Sequence, residues 1–312
     1  MNEQNIKGSL YGLAWGDALG CPVETYKNHE IKKIYGSYEH LPERYPVADI
    51  HALNPKRVKR LRPLGLHSDD TQQALGLLAI GLTAWRLNEW RTMLVEGMKK
   101  GTWRGYGGNF SQAVDKLKRG TRPELSGSSS AGMGAAMRVG PLGALYRDDL
   151  PQLKKVIIES TAVTHGDSRA IAIAFAAAYA VYGFVNGMTR RDIMTQLPTE
   201  VREVEDQICT TYASWAIDRT QPYVVSEGIG RFFAEDPHDL QVGRQLLSKI
   251  AEPLLADGFT KAHPNQGFCL LGGLHALFIG LKEEISPNEA LFEVCQLGYD
   301  TDTVAAIAGS IL

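Results

Sequence analysis

Two short acidic motifs near opposite ends of the chain contain residue types that can hold metal ions. The first is His-Ser-Asp-Asp-Thr at 67–71 and the second is Asp-Thr-Asp-Thr at 300–303, and each leads into an apolar segment. Such residues are common at helix starts, because they cap free N–H groups and because the helix dipole favours carboxylates there. Two unrelated capped helices would explain each motif alone, but capping needs only one oxygen at each start.

The extra carboxylates predict a bound cation. Neighbouring carboxylates in a partly buried place repel one another unless a cation lies between them, and neither motif contains Lys or Arg. If the fold brings the two helix starts together, four carboxylates and several hydroxyls converge. An all-oxygen set of this kind suits Mg²⁺ or Mn²⁺, whereas Zn²⁺ usually recruits His or Cys. We therefore expect Asp69 and Asp302 to share one metal site.

The composition is that of an ordinary soluble globular protein. The 312 residues are 44% hydrophobic and 22% charged, which allows a sizeable core, and the net charge of −2 argues against a general polyanion binder. A nucleic-acid partner is thus disfavoured but left open. The four cysteines lack Cys-x-x-Cys spacing, which excludes a thiolate metal ribbon and suits a reducing cytoplasm. Residues 1–7 are polar and lack the apolar core of a signal peptide.

Helical patterns dominate the chain and strand signals are scarce. The run 170–185 is uninterruptedly apolar or small, but it is shorter than the roughly 20 residues that cross a bilayer, so we expect a central buried helix and no membrane contact. Ser168 and Ser286 are predicted to cap helices. The sequence predicts an all-α, single-domain compact bundle of about a dozen helices over residues 1–312, with a dimetal cleft.

Residues 27–66 differ in character from the rest of the chain. Four prolines interrupt this stretch, no apolar period persists, and five cations fall within residues 56–62. We interpret it as a basic loop insertion or small subdomain. The basic run could meet a pyrophosphate, a nucleic acid or an acidic partner, although a solvated helix face is the more frequent outcome.

Four further features could contribute to a site, and each has a structural alternative. The Gly- and Ser-rich stretch 120–134 opens into a helical segment and could bind an anion, although a linker would look similar. Asp17 is expected to be a hydrogen-bonded structural residue. Glu24 follows the first helix and could point into a cleft, but a surface Glu is commoner. His165 lies at a helix boundary and could bond a ligand, although a structural role is more frequent.

With these residues in view, the chain resembles the ADP-ribosylglycohydrolase family, which includes the dinitrogenase-reductase-activating glycohydrolases and the vertebrate ADP-ribosyl-acceptor hydrolases. Any one of the shared motifs is weak, but together and in this order they are specific. They are residues 16–20 with Glu24, 68–71, 134–138 with Pro141, 164–165 and 300–303. The resemblance implies an all-α fold with two Mg²⁺ or Mn²⁺ ions in a cleft that removes ADP-ribose from a modified acceptor.

The resemblance also implies roles for individual residues. The metal ligands would be Ser68, Asp69, Asp70, Asp300, Asp302 and Thr303. Glu24 would be a gating or general-base carboxylate near the scissile bond, and the catalytic set would be Glu24, Asp69 and Asp302. The residues that contact the substrate would be Gly134, Ala135, Met137, His165 and Tyr299.

Several positions depart from the pattern of the family. Met133 stands where members commonly have Asn, Tyr299 where many have a second Gly, and Ser168 where a Pro is usual. The chain also stops at Leu312, where relatives usually continue the last helix. None of these departures removes an expected metal ligand. They leave open which acceptor is cleaved: arginine, serine, nucleic acid or a small molecule.

Two functions from different classes fit the sequence. The first is a dinuclear-metal-dependent hydrolase that removes ADP-ribose from a modified acceptor, with an arginine N-glycosidic linkage favoured. The alternative is a binding or immunity protein of the same fold, which blocks an ADP-ribosylating toxin through the segment 27–66 or binds ADP-ribose without turnover. Intact expected metal ligands and Glu24 favour the enzyme.

Overall fold

The protein is built from α-helices. A computed structural model describes residues 3–255, 262–282 and 285–312, and within these ranges it contains sixteen α-helices and no β-strand. The predicted all-α class is confirmed, and the number of helices exceeds a dozen because several are only one or two turns long. The helices are α1 (Glu3–Gly20), α2 (Asn28–Tyr35), α3 (Val47–Leu53), α4 (Pro55–Val58), α5 (Asp69–Thr83), α6 (Leu87–Lys100), α7 (Gly108–Lys118), α8 (Gly140–Leu145), α9 (Leu150–Ala162), α10 (Ser168–Val185), α11 (Arg190–Cys209), α12 (Val224–Ala234), α13 (Leu240–Ala251), α14 (Leu274–Gly280), α15 (Pro287–Cys295) and α16 (Thr301–Ile311).

Helix α10 lies at the centre of the core, as predicted. It packs against α8, α9 and α11, and most of its side chains are buried. By length and composition alone it could cross a membrane, but 78% of it is buried inside the fold, as in the core helix of a globular protein. The predicted cap at Ser168 is wrong, since Asp167 caps α10 by accepting from the Arg169 N–H. The predicted cap at Ser286 is confirmed for α15.

Helices α1 and α16 run antiparallel with their backbones in contact. A Cβ atom at Gly12 would lie 1.9 Å from the carbonyl oxygen of Gly309, and one at Gly20 would lie 2.4 Å from the backbone of Asp302. The Thr301 hydroxyl donates to the Gly20 carbonyl at 2.8 Å. Glycine permits this close approach, which holds the end of α1 against the start of α16, where the second acidic motif lies.

The segment between α1 and α5 folds into three short helices, α2 to α4. Ile31, Tyr38 and Ile50 of this segment are almost fully buried. The Tyr38 hydroxyl donates to the Leu19 carbonyl at 2.9 Å and so ties the segment to the end of α1. The segment is therefore packed against the helix that leads into the acidic site.

We predict that Gly12→Ala destabilises the protein by about 2–3 kcal/mol or more, because the added methyl group would force α1 away from α16. The measurement is the free energy of unfolding from urea denaturation. The matched control is Gly8→Ala, four residues earlier on the same helix, where a Cβ would meet nothing within 4 Å. This control should gain about 0.5–1 kcal/mol from helix propensity. Equal effects of the two substitutions would contradict the close packing.

Candidate metal centre and cleft

Asp17 connects α1 to the first acidic motif. Its carboxylate accepts hydrogen bonds from the backbone N–H groups of Ser68 (2.8 and 3.0 Å) and Thr71 (3.1 Å), and from the Thr71 hydroxyl (2.6 Å). The residue is fully buried. The predicted hydrogen-bonded structural role of Asp17 is confirmed, and the contact fixes the start of α5 on the last turns of α1.

The start of α5 leaves one buried carboxylate oxygen without a partner. Ser68 caps the helix: its hydroxyl accepts from the Asp70 N–H at 3.1 Å and donates to Asp70 Oδ1 at 2.8 Å. Asp69 and Asp70 are both buried. Asp70 Oδ2 is buried and has no hydrogen-bond partner among the described residues. An unpartnered buried carboxylate oxygen is costly unless a cation binds it.

The start of α16 brings the second motif to the same place. Asp300 is the N-cap residue of α16, and within the described residues its side chain makes no capping bond to the backbone. Asp302 Oδ1 accepts from the Thr303 N–H at 3.0 Å. One oxygen each of Asp17 and Asp302 and the sulfur of Cys21 lie within 4.8 Å of one another. The two distant motifs thus meet at the end of α1, as the sequence predicts.

The carboxylates of both motifs resist ionisation. Burial, together with the charge of nearby carboxylates, raises the pKa of Asp69 and of Asp300 to about 7. Burial likewise raises the pKa of Asp70 and of Asp302 well above the usual range. The negative charges of neighbouring carboxylates contribute to the rise in both. In the absence of a cation, this cluster therefore holds protons at a pH where free Asp is ionised.

The donor atoms fit a hard divalent cation. Burial raises the pKa of the Cys21 thiol, and the side chains of the two acidic motifs offer carboxylate and hydroxyl oxygens. Carboxylate and hydroxyl oxygens suit Mg²⁺ or Mn²⁺. The partnerless oxygen of Asp70 is the observation that supports this fit.

Glu24 lies beside the cluster and faces an arginine. It follows a single turn of 3₁₀ helix at Cys21–Val23 and its carboxylate is 3.7 Å from Arg62 Nη2. Burial raises the pKa of Glu24, and the Arg62 charge opposes this effect. Arg62 also donates to the Cys21 sulfur at 3.3 Å. A guanidinium from the basic run therefore reaches the edge of the acidic site.

The predicted solvated face for the basic run is wrong for two of its arginines. Arg62 faces Glu24, and Arg57 pairs with Glu30 at 3.3 Å and donates to the Thr25 carbonyl at 3.0 Å. These side chains find partners because the segment folds back on the end of α1. Lys56, Lys59 and Arg60 are exposed, as predicted.

Two of the predicted substrate contacts lie against each other. A Cβ at Gly134 would lie 2.9 Å from the His165 ring, whose Nδ1 atom is 2.9 Å from the Thr164 hydroxyl. Burial lowers the pKa of His165 to about 3, so the ring is neutral at pH 7. Ala135 and Met137 are buried in the core, whereas Gly134 keeps exposed surface. A ligand in this region would meet the Gly134 backbone first.

A buried arginine connects the metal side to His165. Arg138 donates to Gln73 Oε1 at 2.5 Å and to the Thr164 hydroxyl at 2.8 Å, and Gln73 Nε2 donates to Asp69 Oδ2 at 2.5 Å. Sequence reasoning did not assign roles to Arg138 and Gln73. Gln73 follows Asp69 by four residues, the spacing of one helix face, and this signal could have identified it.

Asn265 was also missed, and it holds the turn before α16. Its carbonyl accepts from the Asp300 N–H at 3.0 Å, and its side-chain NH₂ donates to the Gly298 carbonyl at 2.9 Å. The His275 Nδ1–H donates to Asn265 Oδ1 at 2.8 Å. All these contacts lie in the interior, where Asn265 and His275 are fully buried. They fix the direction in which Asp300 leaves the turn.

The chain is similar to a known protein family, to uncharacterized proteins and to a solved structure. The ADP-ribosylglycohydrolase family matches residues 2–312. An uncharacterized protein of Archaeoglobus fulgidus is 26% identical, with 99% of this chain and 87% of that protein covered. The uncharacterized protein YegU of Escherichia coli is 24% identical, with 100% and 87% covered. A solved structure titled "ADP-ribosylglycohydrolase-related protein complex" has the same fold, with a TM-score of 0.65 and 19% identity over 98% of this chain and 85% of that one.

We predict that the metal-free protein loses stability as the pH rises from about 4 to about 7. A free Asp has a pKa of about 3.9, so in this window the folded state binds more protons than the unfolded state, and the free energy of unfolding falls with rising pH. The window follows from the pKa values of about 7 for Asp69 and Asp300. Thermal melting in EDTA at pH 5 and pH 8 tests the sign, and Mg²⁺ or Mn²⁺ should raise the melting temperature at pH 8.

Substitution separates this effect from general surface charge. Asp70→Asn should raise the metal-free melting temperature at pH 8 and reduce the shift that Mg²⁺ produces. Asp115→Asn, which neutralises an exposed carboxylate on α7 paired with Lys118, should change neither quantity. An equal Mg²⁺ shift in wild type and in the Asp70 variant would show that the ions bind elsewhere.

Proposed function

Because the chain belongs to the ADP-ribosylglycohydrolase family, we propose that it is a divalent-metal-dependent hydrolase that removes ADP-ribose from a modified acceptor, preferably arginine. The observation that supports this most is the meeting of two acidic motifs from opposite ends of the chain around one partnerless carboxylate oxygen, Asp70 Oδ2. A protein that used the fold only as a scaffold would have no need of these buried carboxylates.

In this proposal the ions are held between the starts of α5 and α16. When bound, they supply positive charge that orients the ribose hydroxyls, activates water and stabilises an oxocarbenium-like state. Hydrogen bonds from neighbouring residues position the proposed ligand side chains. Asp17 fixes the start of α5, Gln73 orients Asp69, and Asn265 fixes the turn before Asp300. The proposed ligands are Ser68, Asp69, Asp70, Asp300, Asp302 and Thr303.

Glu24 is the proposed general base. Burial raises the pKa of its carboxyl toward neutral pH, where a base that accepts a proton from water works best. In the reaction the water oxygen bonds to the anomeric carbon of ribose, and one of its protons passes to Glu24. The bond from that carbon to the acceptor nitrogen breaks, and the released nitrogen keeps the bonding electron pair. This nitrogen takes up the proton that Glu24 received, which returns Glu24 to its carboxylate form.

The Gly134 backbone and the neutral His165 ring form the proposed contact for the ADP-ribose moiety. A neutral imidazole beside a glycine leaves room for a sugar or a phosphate without a fixed positive charge. Ala135 and Met137 are buried in the core beside Gly134 in the chain. Tyr299 keeps exposed surface next to Asp300.

We expect Asp302→Ala to lower the release of ADP-ribose from arginine-modified protein by at least about 100-fold, since even outer-shell partners of metal ligands contribute 10- to 100-fold. EDTA should abolish the wild-type activity and Mg²⁺ or Mn²⁺ should restore it. Asp115→Asn is the surface control. Activity of the Asp302 variant in metal-free buffer would contradict the mechanism. Absence of turnover on arginine-, serine- and nucleic-acid-linked ADP-ribose, with tight ADP-ribose binding, would favour a binding protein.

We also expect Arg62→Ala to lower kcat by about 10-fold, because the Glu24 carboxylate would lose the group that positions it. Arg62→Lys should recover part of the loss. The matched control is Lys59→Ala, which removes a cation from the same basic run but from an exposed side chain. If both alanine variants lose the same activity, the effect comes from the overall charge of the segment.

A further inference from the structure

Tyr299 has a backbone conformation that favours glycine, and it lies directly before Asp300. Its φ is +66°, in the left-handed region where a residue with a side chain is strained by about 1–3 kcal/mol. Two backbone hydrogen bonds of 2.7 Å hold it there: Tyr299 N–H donates to the Tyr26 carbonyl, and Thr25 N–H donates to the Tyr299 carbonyl. A glycine would satisfy the same bonds without the strain, so the ring needs an explanation of its own.

The ring of Tyr299 stacks on His263. The two ring centroids are 3.8 Å apart and the planes are inclined by 25°. Tyr299 remains 36% exposed, so part of its side chain is open to a ligand. The Asn265 N–H donates to His263 Nδ1 at 3.1 Å, and burial lowers the pKa of His263 to about 4, so the imidazole is neutral at pH 7. The stacked pair is thus a rigid, uncharged aromatic surface.

The backbone of Tyr299 lies between two acidic positions of the site. Thr25, which bonds to Tyr299, follows Glu24, and Tyr299 itself precedes Asp300. A Cβ at Gly267 would lie 3.2 Å from Asp300 Oδ2, so the loop that contains His263 also borders this carboxyl group. An aromatic ring at this position favours a planar cation over a neutral group, because the ring quadrupole attracts the cation.

The chain itself shows the contact in question at two other places. The Arg57 guanidinium lies 3.8 Å from the centroid of the Tyr26 ring, and the Arg202 guanidinium lies 3.9 Å from that of Tyr223. In both, a tyrosine face accepts a guanidinium plane. Tyr299 is a tyrosine of the same kind that remains partly exposed.

We propose that Tyr299, stacked on His263, binds the guanidinium group of an arginine acceptor and thereby sets the preference for arginine over hydroxyl-linked acceptors. This inference rests on the proposed hydrolysis of ADP-ribosyl linkages. Serine-linked ADP-ribose has no planar cation at the leaving group and gains nothing from the ring. Tyr299 acts here as a specificity-determining residue and takes no part in proton transfer.

Two substitutions separate the ring from the backbone. Tyr299→Asn removes the ring, and Asn tolerates the left-handed conformation. Tyr299→Phe keeps the ring and is the matched control. Cation–π contacts of about 0.5–2 kcal/mol predict that the Asn variant loses roughly 2- to 30-fold in kcat/KM on ADP-ribosyl-arginine, mainly through KM. The Phe variant should stay within about twofold on this substrate. Both variants should stay within about twofold on ADP-ribosyl-serine, if the wild type cleaves it.

A binding measurement tests the same surface without turnover. Agmatine, which presents a free guanidinium, is titrated calorimetrically into the Mg²⁺-loaded wild type and both variants. The dissociation constant should rise in the Asn variant by the same factor as KM and stay unchanged in the Phe variant. Equal agmatine binding by wild type and Tyr299→Asn would overturn the inference, even if arginine-linked ADP-ribose is hydrolysed. A wild type that cleaves no ADP-ribosyl linkage would instead refute the proposed function. The agmatine comparison would still test whether the Tyr299 ring binds a guanidinium group.

Discussion

The burial of several carboxyl groups in one place is the constraint on which the rest of the structure depends. Burying each of these groups in its charged form costs free energy. Each one, when charged, also raises the pKa of its neighbours. The buried carboxylate of Asp17 is stabilised by hydrogen bonds from Ser68 and Thr71, and it needs no ion. The carboxyl group of Asp70 is not fully stabilised, since one of its oxygens is buried without a hydrogen-bond partner within the described residues. A cation bound at this oxygen would remove that cost.

The packing of the outermost helices makes this placement possible. The acidic motifs are more than two hundred residues apart, and they meet because α1 lies against α16 with glycine at the contacts. Any side chain at Gly20 would displace the start of α16, where Asp302 lies. The small residues of α1 therefore determine where the carboxyl groups at the start of α16 lie, because their position depends on how closely the two backbones approach.

Much of this arrangement was predictable from local pattern. Helical periodicity predicted the fold class. The motifs contain more carboxylates than helix capping requires, and this excess predicted that the two motifs lie together. The partners that depend on side-chain direction were not predictable. Arg62 belongs to a run whose composition is typical of a solvated face, and only the fold of residues 27–66 turns it toward Glu24. Asn265 lies in a loop with no periodicity, and its side-chain NH₂ donates to carbonyls 29 and 33 residues further along the chain.

Charge balance connects the carboxyl groups of the site to nearby arginines. Arg62 lies beside Glu24 and Asp302, and the buried Arg138 lies near Asp69 and Asp70. The Arg60 charge also opposes the raised pKa of Glu24. The six carboxyl groups outnumber these three arginines, so ionisation of all six would leave a net negative charge. Arg138 is bonded to Gln73, which donates to Asp69, and to Thr164, whose hydroxyl contacts His165. A change in the charge of Asp69 would therefore alter the contacts that hold His165.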